Sequence, residues 1–233
     1  MTQRQPNPQD HGDVHVNFLL DRSGSMGRIR DDVIGGFNHF LREQQARAGT
    51  CRMTLAQFDT QEPFEVLVDA EDVKDVPLLD AGRYAPRGGT PLLDALGTLL
   101  EHAERRARGR DEDAVVVVFT DGQENASHRW TREALFERIA ALKARGWSFV
   151  FLGANQDSYA QAGALGFSPG STSNWDVCDS STAFAQTSRA VLSLRGKMRG
   201  ARAAQSKDFF EGVKEAEASG SDGSARAATK VKH

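Results

Sequence analysis

The chain has 233 residues, 39% of them hydrophobic, which is enough for one large α/β domain with a tail or for two small domains. Its 29 basic and 32 acidic side chains give a net charge of −3, so the totals imply no basic surface for nucleic acid. The two cysteines, Cys51 and Cys178, make neither a disulfide framework nor a zinc pattern.

The two ends of the chain differ from its centre. Residues 1–12 are polar and lack the basic and apolar segments of a signal peptide, and no apolar run approaches the ~18 residues of a membrane span. We therefore expect a soluble, cytoplasmic protein. We also expect residues 1–12 to be flexible, residues 13–199 to form one domain, and residues 200–233, rich in Ala, Gly, Ser, Lys and Arg, to be mostly disordered.

The first half of the chain alternates between strand and helix patterns. Residues 14–20 end in a continuous apolar run, which is typical of a strand covered on both faces. Residues 29–46 carry an apolar stripe at helical spacing, in which Gly35 and Gly36 would allow close packing on the sheet. Residues 51–59 form a second strand, and a short turn at 60–63 predicts an antiparallel edge strand over 64–68.

The second half continues the alternation. Thr90 and Pro91 are a good N-cap and first residue for a helix over 91–108, and the β-branched run 114–120 predicts a central parallel strand. There follow a helix capped by Thr131, a strand at 147–152, a short helix at 156–165, an edge strand near 175–177 and a helix at 181–198. This order predicts an α/β fold with an open, mostly parallel sheet, one antiparallel edge strand and helices on both faces.

Five oxygen-bearing side chains fall at one edge of this sheet. Right-handed crossovers place the loops that follow parallel strands at the same edge, where ligands bind in such folds. Oxygen ligands suit a hard cation such as Mg²⁺, which takes about six oxygens and keeps several waters. Three hydroxyls and two carboxylates would leave a position for an outside ligand. The candidate ligands are Asp21, Ser23, Ser25, Thr90 and Asp121.

Each part of this pattern also has an ordinary structural interpretation. The stretch 21–25 could be a turn, Thr90 only a helix cap, and Asp121 part of a turn. Their order and their joint position at one edge favour the metal site. Other residues near this edge could shape a partner's footprint, although turns, helix caps or a solvated loop would explain them as well. These candidate rim residues are Asp59, Gly89, Gln123, Glu124 and Asn155.

The pattern Asp21-x-Ser23-x-Ser25, followed by Thr90 in Gly-Gly-Thr-Pro and Asp121 in Thr-Asp-Gly, resembles the metal-ion-dependent adhesion site (MIDAS) of the von Willebrand factor type A (VWA) family. The resemblance covers residues 13–167, with a helix out to 198. It implies a Rossmann-like fold and a bound Mg²⁺, or Mn²⁺, whose coordination is completed by an Asp or Glu of a protein partner. It also implies that the three hydroxyls contact the metal directly and the two carboxylates directly or through water.

Within that family the chain is most similar to compact intracellular prokaryotic members, such as those encoded beside AAA+ ATPases, in stress operons or by phage. The resemblance implies a non-enzymatic adaptor or regulatory subunit whose partner is an AAA+ ATPase or another operon-encoded protein, without contact to nucleic acid or membrane. The alternative is a metal-dependent phosphohydrolase with Asp21 as nucleophile. That chemistry usually needs a second acid two residues on, where this chain has Ser23.

Overall fold

A single six-stranded sheet forms the centre of the molecule. The computed structural model describes residues 13–154, 158–175, 180–197, 202 and 208–210. The strands lie in the order β3-β2-β1-β4-β5-β6, and all neighbours are parallel except β2 and β3. The α/β fold with one antiparallel edge strand is therefore confirmed. The strands are β1 (Asp13–Asp21), β2 (Cys51–Phe58), β3 (Glu65–Asp72), β4 (Glu112–Thr120), β5 (Ser148–Gly153) and β6 (Thr172–Asn174).

Helices cover both faces of the sheet. They are α1 (Arg30–Ala46), α2 (Leu92–Ala107), α3 (Arg132–Ala144), α4 (Ser158–Ala164) and α5 (Ser180–Gly196). One apolar core lies between the sheet and α1 and α5, and a second lies between the sheet and α2, α3 and α4. Because side chains alternate along a strand, Phe18 of β1 enters the first core and Leu19 the second. This two-sided burial explains the continuous apolar runs of the central strands.

The two helices on the first face approach each other very closely at Gly36. A Cβ at this position would lie 2.4 Å from Cδ2 of Phe184 on α5. Phe184 also stacks at 4.5 Å on Phe119, at the end of β4. Gly36 is therefore required for helix–helix packing against α5, and not for the close packing against the sheet that the sequence pattern predicts. Gly35 has nothing within 4 Å of an added Cβ.

Both edge strands differ from the sequence-based bounds. β3 continues to Asp72, beyond the predicted end at 68, because register shifts and the positive φ of Ala70 (55°) let its later part pair with β2. β6 precedes the predicted strand near 175–177. Trp175 is instead buried in the first core, where it stacks on Phe119 at 4.8 Å. Residues 176–179 lie outside the described part of the chain.

The packed part of the chain extends past the predicted domain boundary at residue 199. Arg202 is buried and forms an ion pair with Asp113 at 2.6 Å. Phe209 and Phe210 are buried in the first core, and the Phe210 amide donates to the Gly170 carbonyl at 3.1 Å. Among the helices that the structure describes, none is both long and apolar enough to cross a membrane.

The glycine pair in α1 gives a matched test of this packing. We expect Gly36→Ala to lower the free energy of unfolding by about 1–3 kcal/mol, because Phe184 has to move to admit the methyl group. Gly35→Ala should instead raise it by up to about 1 kcal/mol, since the site is open and alanine favours helix. Urea unfolding of both variants measures the difference. Equal effects would contradict the proposed contact.

Candidate metal site

The loop after β1 directs three oxygen-bearing side chains toward one point. Asp21 ends the strand, and its Oδ1 accepts a hydrogen bond from the Ser23 amide at 2.7 Å. The Oγ atoms of Ser23 and Ser25 lie 3.1 Å apart. The Gly24 amide donates to the Gly88 carbonyl at 3.0 Å, which attaches this loop to the segment that precedes α2. The local fold therefore gathers these side chains rather than spreading them along a surface turn.

The end of β4 completes this arrangement. Ser25 Oγ donates to Asp121 Oδ1 at 2.6 Å, and Thr120 Oγ1 donates to Asp21 Oδ2 at 2.6 Å. Gly122 lies against Thr90, since an added Cβ would be 3.0 Å from Thr90 Oγ1 and 3.6 Å from Asp21 Oδ2. The structure thus brings all five predicted ligands together. Their role as metal ligands remains a prediction.

The two carboxylates are held in an environment that disfavours negative charge. Asp21 is 0% exposed, and burial raises its pKa to about 6, with the neighbouring Asp121 adding to the effect. Burial also raises the pKa of Asp121, which is 7% exposed, although the Ser25 hydrogen bond and the charge of Arg28 oppose this. In the described part of the chain, Asp21 accepts only neutral donors and has no Lys or Arg ion pair.

This donor set fits a hard divalent cation. The described residues contain no group of three or more His, Cys, Asp or Glu side chains arranged for a metal, so any ion here would depend on hydroxyl ligands as well. Hydroxyl and carboxylate oxygens are the ligands of Mg²⁺ and Mn²⁺ rather than of soft metals. A divalent charge would also offset the desolvation of both carboxylates.

Thr90 does not cap α2, contrary to the expectation from its sequence position. The helix begins at Leu92, and Pro91 occupies the cap position without a side-chain hydrogen bond. The carboxylate of Glu124 caps the helix instead, because it accepts the Leu93 amide at 2.8 Å. The Thr90 hydroxyl is consequently not used as a helix cap. Its amide donates to Asn125 Oδ1 at 2.9 Å, which ties it to the loop after Asp121.

Asp94 fixes the same loop, although no sequence pattern predicts this role. Its carboxylate accepts the amides of His128, Arg129 and Trp130 at 2.8–2.9 Å. The Trp130 ring then lies on α2 so closely that a Cβ at Gly97 would be 2.3 Å away. An acidic residue in the first turn of a helix normally indicates only a favourable dipole interaction, so its sequence position did not distinguish this role.

Asp59 is a structural residue rather than part of a partner-binding rim. It is fully buried, and its carboxylate accepts the Gln61 and Glu62 amides at 2.6 and 2.9 Å, which confirms the turn interpretation. It also forms ion pairs with Arg22 at 2.6 Å and Arg87 at 3.1 Å. These contacts keep its pKa below the ordinary range of an aspartate, despite the opposing effect of desolvation. The predicted rim role is therefore wrong for Asp59.

The other candidate rim residues have different positions. Gln123 is exposed beside Asp121, and Gly89 is half-buried with its amide donating to Thr60 Oγ1 at 3.0 Å. Glu124 is only partly exposed, and its carboxylate is engaged by the amides of α2 and of its own loop. Asn155 lies outside the described residues. A role in partner binding stays a prediction for Gly89, Gln123, Glu124 and Asn155.

The raised pKa of Asp21 gives a pH-dependent prediction. The folded value of about 6 exceeds the ~3.9 of an unfolded aspartate, so in metal-free protein this group lowers stability as pH rises from about 4 to 6. Asp21→Asn removes the charge, and its amide oxygen can still accept from the Ser23 amide, while its amide nitrogen would donate to Thr120 Oγ1 instead of accepting from it. Under EDTA we expect the variant to be more stable than wild type above pH 6, by about 1–3 kcal/mol, and nearly equal at pH 4. Chemical unfolding at both pH values measures this, and a constant difference would contradict it.

Several solved structures share this fold at low sequence identity. They include PTMP1 from the mussel byssus with a zinc-occupied MIDAS motif (13% identity, TM-score 0.52, 78% of this chain and 46% of that chain). They also include manganese-loaded TRAP from Plasmodium vivax (19% identity, TM-score 0.51, 74% of this chain and 72% of that chain). A third is a von Willebrand factor type A structure from Catenulispora acidiphila (14% identity, TM-score 0.52, 78% of this chain and 43% of that chain). This chain thus spans less than half the length of the mussel and Catenulispora chains.

No curated protein matches the sequence significantly. The family model for the von Willebrand factor type A domain, however, matches residues 15–189, which is most of the chain and includes all five candidate ligands. The element order, the antiparallel edge strand and the gathered Asp21, Thr90 and Asp121 agree with that match. The chain therefore belongs to the von Willebrand factor type A domain family.

Proposed function

We propose that this chain is a metal-dependent protein-binding module. In this proposal a divalent cation, Mg²⁺ or Mn²⁺, is held by Asp21, Ser23, Ser25, Thr90 and Asp121, and an Asp or Glu of a partner protein completes its coordination. The observation that carries the proposal is the convergence of two buried carboxylates and three hydroxyls around Asp21, which has no cationic partner among the described side chains.

The charge balance of the site supports an acidic ligand. Two carboxylates neutralise a divalent ion without reversing its charge, so a further carboxylate can still coordinate. Mg²⁺ takes about six oxygens, which leaves room for a ligand beyond the five side chains. The mussel structure has zinc at its MIDAS motif and the TRAP structure is loaded with manganese, and both support a divalent cation here. The preference for Mg²⁺ in this proposal rests on the hard oxygen donors of the site.

Hydrolysis with Asp21 as nucleophile is the less favourable alternative. Its carboxylate is fully buried, and each oxygen already accepts a short hydrogen bond, from Ser23 and from Thr120. The position that would protonate a leaving group is Ser23, which is a poor general acid. These features support a binding role over a catalytic role.

We further propose the setting of this binding. The resemblance to compact prokaryotic members of the family favours a cytoplasmic adaptor or regulatory subunit. Its partner would be an AAA+ ATPase or another protein encoded in the same operon, without contact to membrane or nucleic acid.

Metal removal should affect stability through these ligands. At a Mg²⁺ concentration 100-fold above Kd, we expect an increase of about 2.7 kcal/mol in the free energy of unfolding. Asp21→Ala and Thr90→Ala should remove most of this increase. Thr50→Ala, an exposed threonine before β2, is the control and should retain it. The measurement is chemical unfolding with Mg²⁺ or EDTA, and a full increase in Asp21→Ala would argue against this metal site.

Partner binding should depend on the same site. Affinity purification from the source cells, with the wild-type chain as bait, should retain a partner in Mg²⁺ and lose it in EDTA. Asp21→Ala should lose the same partner in either condition, whereas Thr50→Ala should keep it in Mg²⁺. A partner that Asp21→Ala retains equally in both conditions would falsify the proposed mode of binding.

A further inference from the structure

A cleft of about 480 Å³ lies beside the candidate metal site, between the start of β3 and the segment 82–87. This segment is attached to the metal-site loop by backbone hydrogen bonds. The Arg87 amide donates to the Arg22 carbonyl at 2.8 Å, and the next residue, Gly88, accepts the Gly24 amide at 3.0 Å. The cleft wall is therefore a direct neighbour of the loop that carries Ser23 and Ser25.

The floor of the cleft contains an ion-pair network in which positive and negative side chains are equal in number. Arg22 is only 4% exposed and pairs with Asp59 and Glu65, each at 2.6 Å. Arg87 shares Asp59 through its Nε at 3.1 Å, yet its side chain remains 42% exposed. The buried carboxylate thus fixes the position of Arg87 while leaving part of its guanidinium accessible from the cleft.

A second arginine, which has fewer polar contacts than Arg87, lies in the wall of the cleft. Arg83 is exposed and lines the cleft, and its guanidinium forms no hydrogen bond or ion pair with any residue that the structure describes. The acidic residues of the lining are Glu62, at the β2–β3 turn, and Glu65, which pairs with Arg22. Exposed Arg28, in the loop after β1, lies close enough to lower the pKa of Asp121. Two exposed arginines, Arg83 and Arg87, therefore face the cleft, and neither has its guanidinium fully enclosed by acidic partners.

We propose that this cleft binds a second acidic side chain of the same partner that coordinates the metal. The inference rests on the proposed function and narrows the partner to a segment with two carboxylates a few residues apart. The first carboxylate completes the metal coordination, and the second pairs with the guanidinium groups of Arg83 and Arg87. Guanidinium groups suit this role because they bind carboxylates with paired, charge-assisted hydrogen bonds.

The attachment of the cleft wall to the metal loop limits the spacing between the two acids. An extended chain advances about 3.3 Å per residue. Acids two to four positions apart therefore span about 7–13 Å, and a pair six positions apart spans about 20 Å. The direct attachment of the cleft wall to the metal loop favours the shorter spacings. Spacing is thus a property of the ligand that the experiment can vary.

The test uses synthetic peptides and the full chain in saturating Mg²⁺. Blocked Ser/Gly decapeptides carry either one Asp or two Asp separated by two, three, four or six positions, and NMR titration gives the affinities. We expect the best two-acid peptide to bind about five- to tenfold tighter than the one-acid peptide. Arg83→Gln should remove this gain without changing affinity for the one-acid peptide or for Mg²⁺. Glu62→Gln should increase the gain.

Arg105→Gln is the matched control, because Arg105 is exposed near the opposite end of α2. It should leave all affinities unchanged. If two-acid peptides bind no tighter at any spacing, or if Arg83→Gln keeps the gain, the cleft proposal is overturned while Mg²⁺-dependent binding of the one-acid peptide still supports the metal module. If no peptide shows Mg²⁺-dependent binding, the proposed function is overturned and the cleft proposal with it.

Discussion

The Asp21 carboxylate is fully buried at the end of a central strand, and an anion removed from water must be stabilised by hydrogen bonds or by a cation. Only neutral donors reach it in the described structure, namely the amide and hydroxyl of Ser23 and the hydroxyl of Thr120. They only partly offset desolvation, which is why the pKa remains raised to about 6. At neutral pH the group is mostly ionised, so this part of the fold carries a cost that a bound cation would remove.

The surrounding hydrogen bonds divide the site into two blocks. Thr90 and Asp121 belong to one block, because Asp94, Glu124 and Asn125 join α2 to the loop after β4. The β1–α1 loop belongs to the other block, and the hydrogen bond from the Gly24 amide to the Gly88 carbonyl attaches this loop to the segment before α2. Two short side-chain bonds, from Ser25 to Asp121 and from Thr120 to Asp21, join the blocks directly. A metal would bridge the same boundary, so its binding would couple the two blocks.

The predictable part of this architecture was the part set by local pattern. Strand and helix periodicity predicted the sheet and its antiparallel edge, and parallel topology placed Asp21 and Asp121 at one edge. The cap of α2 could not be predicted in this way. Thr90 and Pro91 have the sequence of a local cap, but Glu124, about 30 residues later, provides the hydrogen bond. A tertiary contact from Glu124 therefore caps the helix in place of the expected local contact from Thr90, and no local sequence pattern indicates this.

The burial of several residues outside regular periodic segments also depends on contacts that are distant in sequence. Asp59 lies at a strand end, where acids are usually solvated, yet the two arginines that bury it come from segments that are distant in sequence. Phe209 and Phe210 stand in a polar stretch that predicts disorder, although both enter the first core. In each case the environment is created by chain segments far apart in sequence, so composition in a local window carries no information about it.

The charge of the proposed metal site gives the neighbouring arginines a role in the proposed function. A divalent ion with two carboxylates is neutral overall, so it can coordinate a partner's acid at contact but attracts it weakly from a distance. Exposed Arg28, Arg83 and Arg87 would supply that attraction over about the 8–10 Å allowed by physiological salt. The complex gains one negative charge when the partner's carboxylate binds, and positive side chains in the neighbouring segments would reduce the cost of that charge. Coordination and charge complementarity would then select for the same acidic segment.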